Sequence, residues 1–168
     1  RSGAEQITNA RSPTMLIKIL SACMLVAITV VIHAVGFARL LRAMMRSHTL
    51  ATSGFRPVTR WVIGLTSWLI LIHLVEISIW GLFYFWQGCL PDAETAFYFS
   101  GVTYTTVGYG DLVLPKPWRM FAPIEALTGI LMCGLSTGLF FAFVSRWISK
   151  EIQRKTGLEP RSAAPMNK

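Results

Sequence analysis

The sequence predicts an all-α membrane protein with three transmembrane helices, a short re-entrant helix and a polar loop after it. Residues of the apolar set AVILMFWYC make up 53% of the chain and charged residues only 14%. The apolar residues gather into three runs that are too long for a soluble domain of this size. Between the second and third runs lies a shorter apolar stretch that ends in the sequence TTVGYGD.

The three long runs are Leu16–Phe37, Trp61–Trp86 and Phe121–Ile148. Each has at least the ~20 residues that a helix needs to cross about 30 Å of hydrocarbon. A cleaved signal peptide is the competing interpretation of the first run, but that run leads into the basic sequence ARLLRAMMRSH without a small-residue cleavage site. We therefore expect three spans. Because the chain begins at Arg1 rather than Met, we expect a fragment or a processed chain.

Basic residues set the predicted orientation. The connection between the first two spans is basic and has no acid, and the tail after the third span is also basic: Arg39, Arg42, Arg46, Arg56 and Arg60, then Arg146, Lys150, Arg154, Lys155, Arg161 and Lys168. Both segments are predicted to be cytoplasmic in a cell (inner or plasma) membrane, with the N-terminus outside. The net charge of +8 then reflects topology, and a nucleic-acid surface is disfavoured because no separate soluble domain carries the charge.

The cysteines and motifs give no support to an enzyme. Cys23 and Cys133 lie inside predicted spans, where a buried thiol acts as a small apolar group, and Cys89 is predicted to face outward. The chain shows no metal-ligand spacing, nucleophile elbow or phosphate loop, so we expect neither catalysis nor a cofactor.

The outer segment predicts a re-entrant helix. After Pro91 and Asp92, about twelve residues lead to Tyr104, too few to cross the membrane. Irregular backbone at membrane depth is tolerated only where it is buried in protein or lines a watery path. Gly108 and Gly110 can adopt positive φ, which lets successive carbonyls face one axis instead of alternating. The run TTVGYG therefore predicts a column of carbonyl oxygens.

A span, a short helix, TTVGYGD and a second span together resemble the pore module of tetrameric potassium channels, over roughly Trp61–Arg146. The resemblance implies a homotetramer in a lipid bilayer that passes K⁺ as the permeant ion. It assigns the selectivity filter to six residues, here called the filter loop: Thr105, Thr106, Val107, Gly108, Tyr109 and Gly110. Four carbonyls, from Thr106 to Tyr109, and the Thr106 hydroxyl would replace the ion's hydration shell.

The resemblance also implies how the filter is supported. The side chains of Val107 and Tyr109 are expected to point away from the axis and pack against the pore helix. Many relatives have a glutamate where this chain has Val102, so Asp111 needs another partner. Tyr98 is the expected donor, with Arg119 as the alternative, whereas Phe99 stands at a common tryptophan position and has no donor.

The third span has a stripe at helical spacing that the resemblance would turn toward a central cavity: Ile130, Cys133, Thr137 and Phe141. Phe141 is the candidate constriction, with a packing or lipid-facing role as the alternative. Gly129 falls where relatives often have a flexible glycine, and a hinge and close helix packing are both compatible with it. Gly134 and Gly138 form a small-xxx-small pair, which favours close packing.

Three ionisable residues lie inside the spans. His73 and Glu76 share one face of the second span, and Glu125 lies about a turn into the third. At these depths the two carboxyl groups could approach each other behind the filter and act as a proton sensor. The alternative is a static hydrogen-bonded network that joins the helices.

Hydropathy and charge, together with the resemblance over the pore module, divide the chain into four parts: an outer N-terminal segment at 1–15, the first helix and basic loop at 16–60, the pore module at 61–148 and a cytoplasmic tail at 149–168. The arginines after the first span indicate anchoring rather than voltage sensing, because they do not run along the span. A potassium-transporter subunit and a non-conducting regulatory protein remain as other functional classes.

Overall fold

The computed structural model describes residues 14–46 and 55–156. Its elements are α1 (Met15–Arg46), α2 (Phe55–Trp86), α3 (Ala93–Tyr104), a 3₁₀ turn (Lys116–Trp118) and α4 (Phe121–Thr156). In the described ranges no residue forms a strand. Three helices are long and apolar enough to cross a membrane, one each at α1, α2 and α4. The predicted all-α membrane fold is confirmed.

Some predicted features fall outside this description. Nearly all of the N-terminal segment 1–15 lies there, as do Arg161 and Lys168 in the tail. The side chains of Arg56, Arg154 and Lys155 are also outside the described part.

The helices extend beyond the apolar runs that predicted them. α1 continues past Phe37 to Arg46, α2 begins at Phe55 rather than Trp61, and α4 continues past Ile148 to Thr156. Hydropathy marks where a helix meets hydrocarbon, whereas backbone hydrogen bonding continues for as long as the residues favour a helix. The extension of α1 consists of Ala, Leu, Arg and Met, which are strong helix formers.

The short helix α3 starts at a well-formed cap. The side chain of Asp92 accepts a hydrogen bond from the Thr95 backbone N–H at 2.8 Å and another from the Thr95 hydroxyl at 2.8 Å. These two donors hold the pKa of the Asp92 carboxyl below its usual range. The helix has 12 residues, as the sequence predicted, and is too short to span the membrane.

α3 packs behind its following loop against α2 and α4. On α2, Gly81 lets α3 approach closely, since a Cβ there would lie 3.2 Å from the Phe97 Cα. The surrounding core contains the fully buried aromatic residues Trp80, Tyr84, Tyr104 and Phe121. α3 is therefore fixed from behind by two of the spans.

α1 lies against α2 and is attached to it by two indole groups. The Trp80 Nε1–H donates to the Thr29 hydroxyl at 3.1 Å, and the Trp68 Nε1–H donates to the Gly36 carbonyl at 3.0 Å. The absence of a side chain at Gly36 also leaves room for Ile72. α1 is thus an integral part of the described bundle.

The cysteines lie differently from the prediction. Cys23 and Cys133 are exposed on the surface of the single chain, and Cys89 is buried. Burial raises the pKa of the Cys89 thiol to about 11. The sequence-based expectation that Cys89 faces outward is wrong, because the turn after α2 folds its side chain into the aromatic core.

Candidate functional site

The loop after α3 begins on the last turn of that helix. The backbone N–H groups of Thr105 and Thr106 donate to the carbonyls of Gly101 and Thr103, at 3.1 Å and 2.9 Å. The Gly108 N–H then reaches back to the Val102 carbonyl at 3.0 Å. Val102 therefore supports the loop through its backbone, although its side chain offers no hydrogen bond.

The sign of the backbone angle φ alternates along the filter loop. Thr106, Gly108 and Gly110 have positive φ values of 61°, 50° and 78°, while the intervening Val107 and Tyr109 do not. In an extended strand successive carbonyls point to opposite sides. A change of φ sign at every second residue turns alternate peptide groups over, which brings the carbonyls toward one side. The two glycines were anticipated from the sequence.

Thr106 was not anticipated in this conformation. A β-branched residue rarely has positive φ, and such backbone costs on the order of 1–3 kcal/mol. No signal in the sequence singles it out. Strain of this kind persists where the surroundings fix the backbone, and here the Thr106 N–H is held by Thr103.

The filter loop is exposed along its whole length in the single chain. Val107 is 51% exposed and Tyr109 is 72% exposed. Within the single chain these two side chains are therefore not covered by α3. In the single chain the filter loop is therefore covered on one side only.

Asp111 has the predicted partner just after the loop. The Tyr98 hydroxyl donates to its Oδ2 at 2.8 Å, and the Leu112 backbone N–H donates to its Oδ1 at 3.1 Å. The alternative partner, Arg119, donates instead to the Leu114 carbonyl at 3.2 Å. One hydroxyl thus ties the end of the loop to the middle of α3.

Phe99 on α3 is buried. Its ring meets the edge of Tyr84 with centroids 5.4 Å apart at 82°. Phe99, which has no hydrogen-bond donor, therefore contributes a favourable edge-to-face aromatic contact instead.

A network of five polar residues lies behind the C-terminal end of α3, and we call it the histidine network. Glu76 is its centre: Oε1 lies 2.9 Å from His33 Nδ1, and Oε2 lies 3.1 Å from His73 Nδ1 and accepts from the Tyr104 hydroxyl. His73 Nε2 lies 3.0 Å from the Ser136 hydroxyl. All four helices contribute to this network, and Tyr104 directly precedes the filter loop.

A second network, the hydroxyl network, lies behind the middle of α3. The Tyr84 hydroxyl donates to Glu125 Oε2 at 2.7 Å, and Ser100 Oγ lies 2.5 Å from Glu125 Oε1. Ser100 Oγ also lies 2.8 Å from the Ile77 carbonyl. Glu125 is completely buried. This network joins α2, α3 and α4 but not α1.

The two carboxyl groups have different hydrogen-bond partners and belong to separate networks. Depth along the helices, from which the sequence placed both groups behind the filter, does not fix the rotation of each helix. The rotation directs the two side chains to different partners.

Sequence reasoning missed most of the partners in these networks. His33 was the most visible of them, because an ionisable residue inside an apolar span is costly unless it is paired. The hydroxyl groups of Tyr84, Ser100, Tyr104 and Ser136 gave no comparable signal, since such residues are common in membrane helices.

The predicted cavity stripe lies together on an open face of α4. Ile130 is 57% exposed, Phe141 is 71% exposed, and Cys133 and Thr137 are exposed beside them. The Thr137 hydroxyl donates to the Cys133 carbonyl at 2.9 Å. The single chain leaves this stripe without contacts that would cover it.

Gly129 differs from that stripe because it is buried. A Cβ at this position would overlap the backbone carbonyl of Tyr104. Of the two possibilities left open by the sequence, the structure favours close packing over a hinge. Gly134 and Gly138, in contrast, have open space at the Cβ position, so their expected close packing does not occur within this chain.

Residues 72–146 match the model of a family described as an ion channel. Comparison with curated proteins and with solved structures returns no significant match. The matched segment contains the C-terminal half of α2, all of α3, the filter loop and most of α4. The match and the fold together support an ion-channel pore module in this part of a membrane protein.

Proposed function

We propose that this chain is the subunit of a potassium-selective channel that conducts K⁺ passively as a homotetramer. The observation that carries the proposal is the alternating backbone at Thr106, Gly108 and Gly110, at the end of a helix too short to span the membrane. Carbonyl oxygens that face one axis can replace the hydration shell of a K⁺ ion as it passes.

Four copies are needed because one loop supplies one oxygen to each ring of ligands. The described chain has one such loop, and its filter residues are exposed. A closed four-fold assembly would place four loops around one axis and cover the side chains of Val107 and Tyr109. The open stripe on α4 would then line the cavity below the filter, with Phe141 as the candidate constriction.

The orientation follows from the charges. Arg39, Arg42 and Arg46 are exposed at the C-terminal end of α1. We place this end of α1, the start of α2 and the end of α4 in the cytoplasm of a cell membrane, and the filter on the outer side.

The intramembrane residues His73, Glu76 and Glu125 are proposed to support the pore helix as static hydrogen-bonding groups. Both carboxyl groups have a partner for each oxygen, and in each network one partner comes from α3: Tyr104 for Glu76 and Ser100 for Glu125. The alternative, a proton sensor, predicts that channel opening responds to external pH through these residues.

Substitution of Gly108 by Ala tests the filter. A Cβ at this position meets nothing within 4 Å in the chain, so any effect comes from the backbone conformation at φ +50° and not from a clash within the chain. We expect Gly108→Ala to abolish K⁺ selectivity or conduction while the protein still folds and inserts. The measurement is the K⁺-to-Na⁺ permeability ratio of purified protein in planar bilayers.

Gly64→Ala is the matched control for this test. It adds the same methyl group into open space, but in a helix and without positive φ. It should leave the permeability ratio unchanged. An unaltered ratio in Gly108→Ala would show that the filter assignment is wrong.

Liposome flux separates the other functional classes. A channel gives passive K⁺ flux, a transporter subunit gives flux only with partner subunits or coupling, and a regulatory protein gives none.

Chemical crosslinking in mild detergent should stop at four subunits, and a dominant dimer would contradict the tetramer.

A further inference from the structure

Three residues of the histidine network have the chemistry of a metal site. One ligand atom from each of His33, His73 and Glu76 lies within 4.8 Å of the other two. His33 is 2% exposed and Glu76 is 0% exposed, in the interior of a membrane bundle. Imidazole nitrogen and carboxylate oxygen are the usual ligands of Zn²⁺ in catalytic and regulatory sites, and imidazole also suits Ni²⁺, Co²⁺ and Cu²⁺.

The distances suit a tetrahedral ion. Ligands at about 2.0–2.2 Å from zinc lie roughly 3.3 Å from one another in tetrahedral geometry. His33 Nδ1 is 2.9 Å from Glu76 Oε1, and His73 Nδ1 is 3.1 Å from Glu76 Oε2. These contacts use different oxygens of Glu76, and the three ligand atoms lie within 4.8 Å of one another. For a common ion to bind, the longest separation has to close by up to about 1.5 Å, which side-chain rotation can provide.

Two neighbouring hydroxyl groups could support a metal ion at this position, one as a further oxygen ligand and one as a hydrogen-bond partner of His73. The Tyr104 hydroxyl lies 3.1 Å from His73 Nδ1, so it can approach the same ion or hydrogen-bond to a ligand. When Nδ1 of His73 binds a metal, its proton resides on Nε2, and the Ser136 hydroxyl is already there at 3.0 Å to accept it. An outer hydrogen bond of this kind fixes the tautomer and orientation of a metal-bound histidine.

The other nitrogen of His33 does not oppose this arrangement. His33 Nε2 is buried and has no hydrogen-bond partner among the described residues. It lacks a partner whether it carries the proton, as in a metal-bound state, or not. Its hydrogen bonding therefore does not distinguish the two states.

We propose that His33, His73 and Glu76 form an intramembrane site for Zn²⁺ or a similar borderline divalent metal. The ion would join α1 to α2 and lie beside Tyr104, the residue before the filter loop. The binding part of this proposal is independent of conduction. An effect of the metal on open probability rests on the proposed function.

Binding is tested on the purified full chain in detergent with Zn²⁺ alone, by equilibrium dialysis, and with Co²⁺ as a spectroscopic probe. We expect one Zn²⁺ per subunit and a visible Co²⁺ absorption band that added Zn²⁺ removes. His33→Gln and His73→Gln should each weaken binding by at least about tenfold, since each loses a direct ligand.

The chain offers matched controls. His48→Gln removes its third histidine, which is not one of the three proposed ligands, and should bind as wild type does. A background in which the three cysteines are replaced by serine should also retain the site, which excludes thiolate ligands. Binding that survives both cluster substitutions, or that disappears with His48 or the cysteines, would overturn the proposal.

A measurement on wild type covers the case in which the cluster variants fail to fold. X-ray absorption of the Zn²⁺-loaded protein should show two imidazole ligands with the remaining ligands oxygen. A spectrum without imidazole, or no binding at all, would leave a purely hydrogen-bonded network and would refute the site. If Zn²⁺ binds in this way to a protein that shows no K⁺ flux, the metal site stands and the proposed function fails.

Discussion

The two glutamates behind α3 are equally buried, but they have partners of different kinds. Glu76 is bonded to two imidazoles and a tyrosine, and Glu125 to a tyrosine and a serine. Glu76 also reaches α1 through His33, whereas the partners of Glu125 lie on α2 and α3. Glu76 thus takes part in a network that joins all four helices, whereas Glu125 connects only three of them.

The number of hydrogen-bond donors around each glutamate indicates its charge state. Three donors are available to Glu76, so an ionised carboxylate satisfies all of them. At Glu125, the single proton of Ser100 faces two acceptors, the Ile77 carbonyl and the carboxyl group. All of these groups are paired when Glu125 carries a proton and donates to Ser100. We therefore expect Glu76 to be ionised and Glu125 to be neutral.

The largest effect is expected from Glu76→Leu. It leaves His33, His73 and Tyr104 without their acceptor in the interior, which should lower the free energy of unfolding by about 4 kcal/mol. Thermal unfolding of the purified protein in detergent measures this. A variant as stable as wild type would show that the histidine network contributes little to the bundle.

Gly129→Ala should have the next largest effect, because its methyl group overlaps the Tyr104 carbonyl beside the histidine network. Forcing extra volume into a close contact costs on the order of 2 kcal/mol. Gly138→Ala adds the same group into open space within the chain and is the control. Equal loss of stability in both variants would mean that the contact with Tyr104 is not the cause.

Glu125→Gln, compared with Glu76→Gln, tests the expected charge states of the two glutamates. If Glu125 is neutral, glutamine retains an acceptor and a donor in nearly the same shape, and the loss should stay within about 1 kcal/mol. Glu76→Gln should cost clearly more, since it brings two N–H donors into a site that already has three. A larger loss for Glu125→Gln than for Glu76→Gln would contradict the assigned charge states.

The smallest effect is expected on pH dependence. A neutral Glu125 that serves only as a hydrogen-bonding contact does not sense protons, so Glu125→Gln should follow the wild-type curve of open probability against external pH. Single-channel recording in symmetrical K⁺ measures this. If Glu125→Gln abolishes a wild-type response, then Glu125 is part of a proton sensor.

Features that depend on local sequence could be predicted. The three spans follow from hydropathy, and the length of α3 follows from the cap at Asp92 and the distance to the TTVGYG run. The positive φ of Gly108 and Gly110 follows from the conformational freedom of glycine. The hydrogen bond from Tyr98 to Asp111 was predicted from the resemblance to potassium-channel pore modules.

The tertiary structure alone decided the contacts between helices. His33 and Glu76 are 43 positions apart, and Tyr84 and Glu125 are 41 apart. Which side chains meet over such separations depends on the rotation and crossing of the helices, and packing sets these at places such as Gly36, Gly81 and Gly129. Thr106 likewise takes its strained conformation only because the end of α3 holds it. The sequence by itself therefore determined the spans and the filter loop, whereas packing determined how the loop is supported, because helix rotation is a property of the assembled bundle.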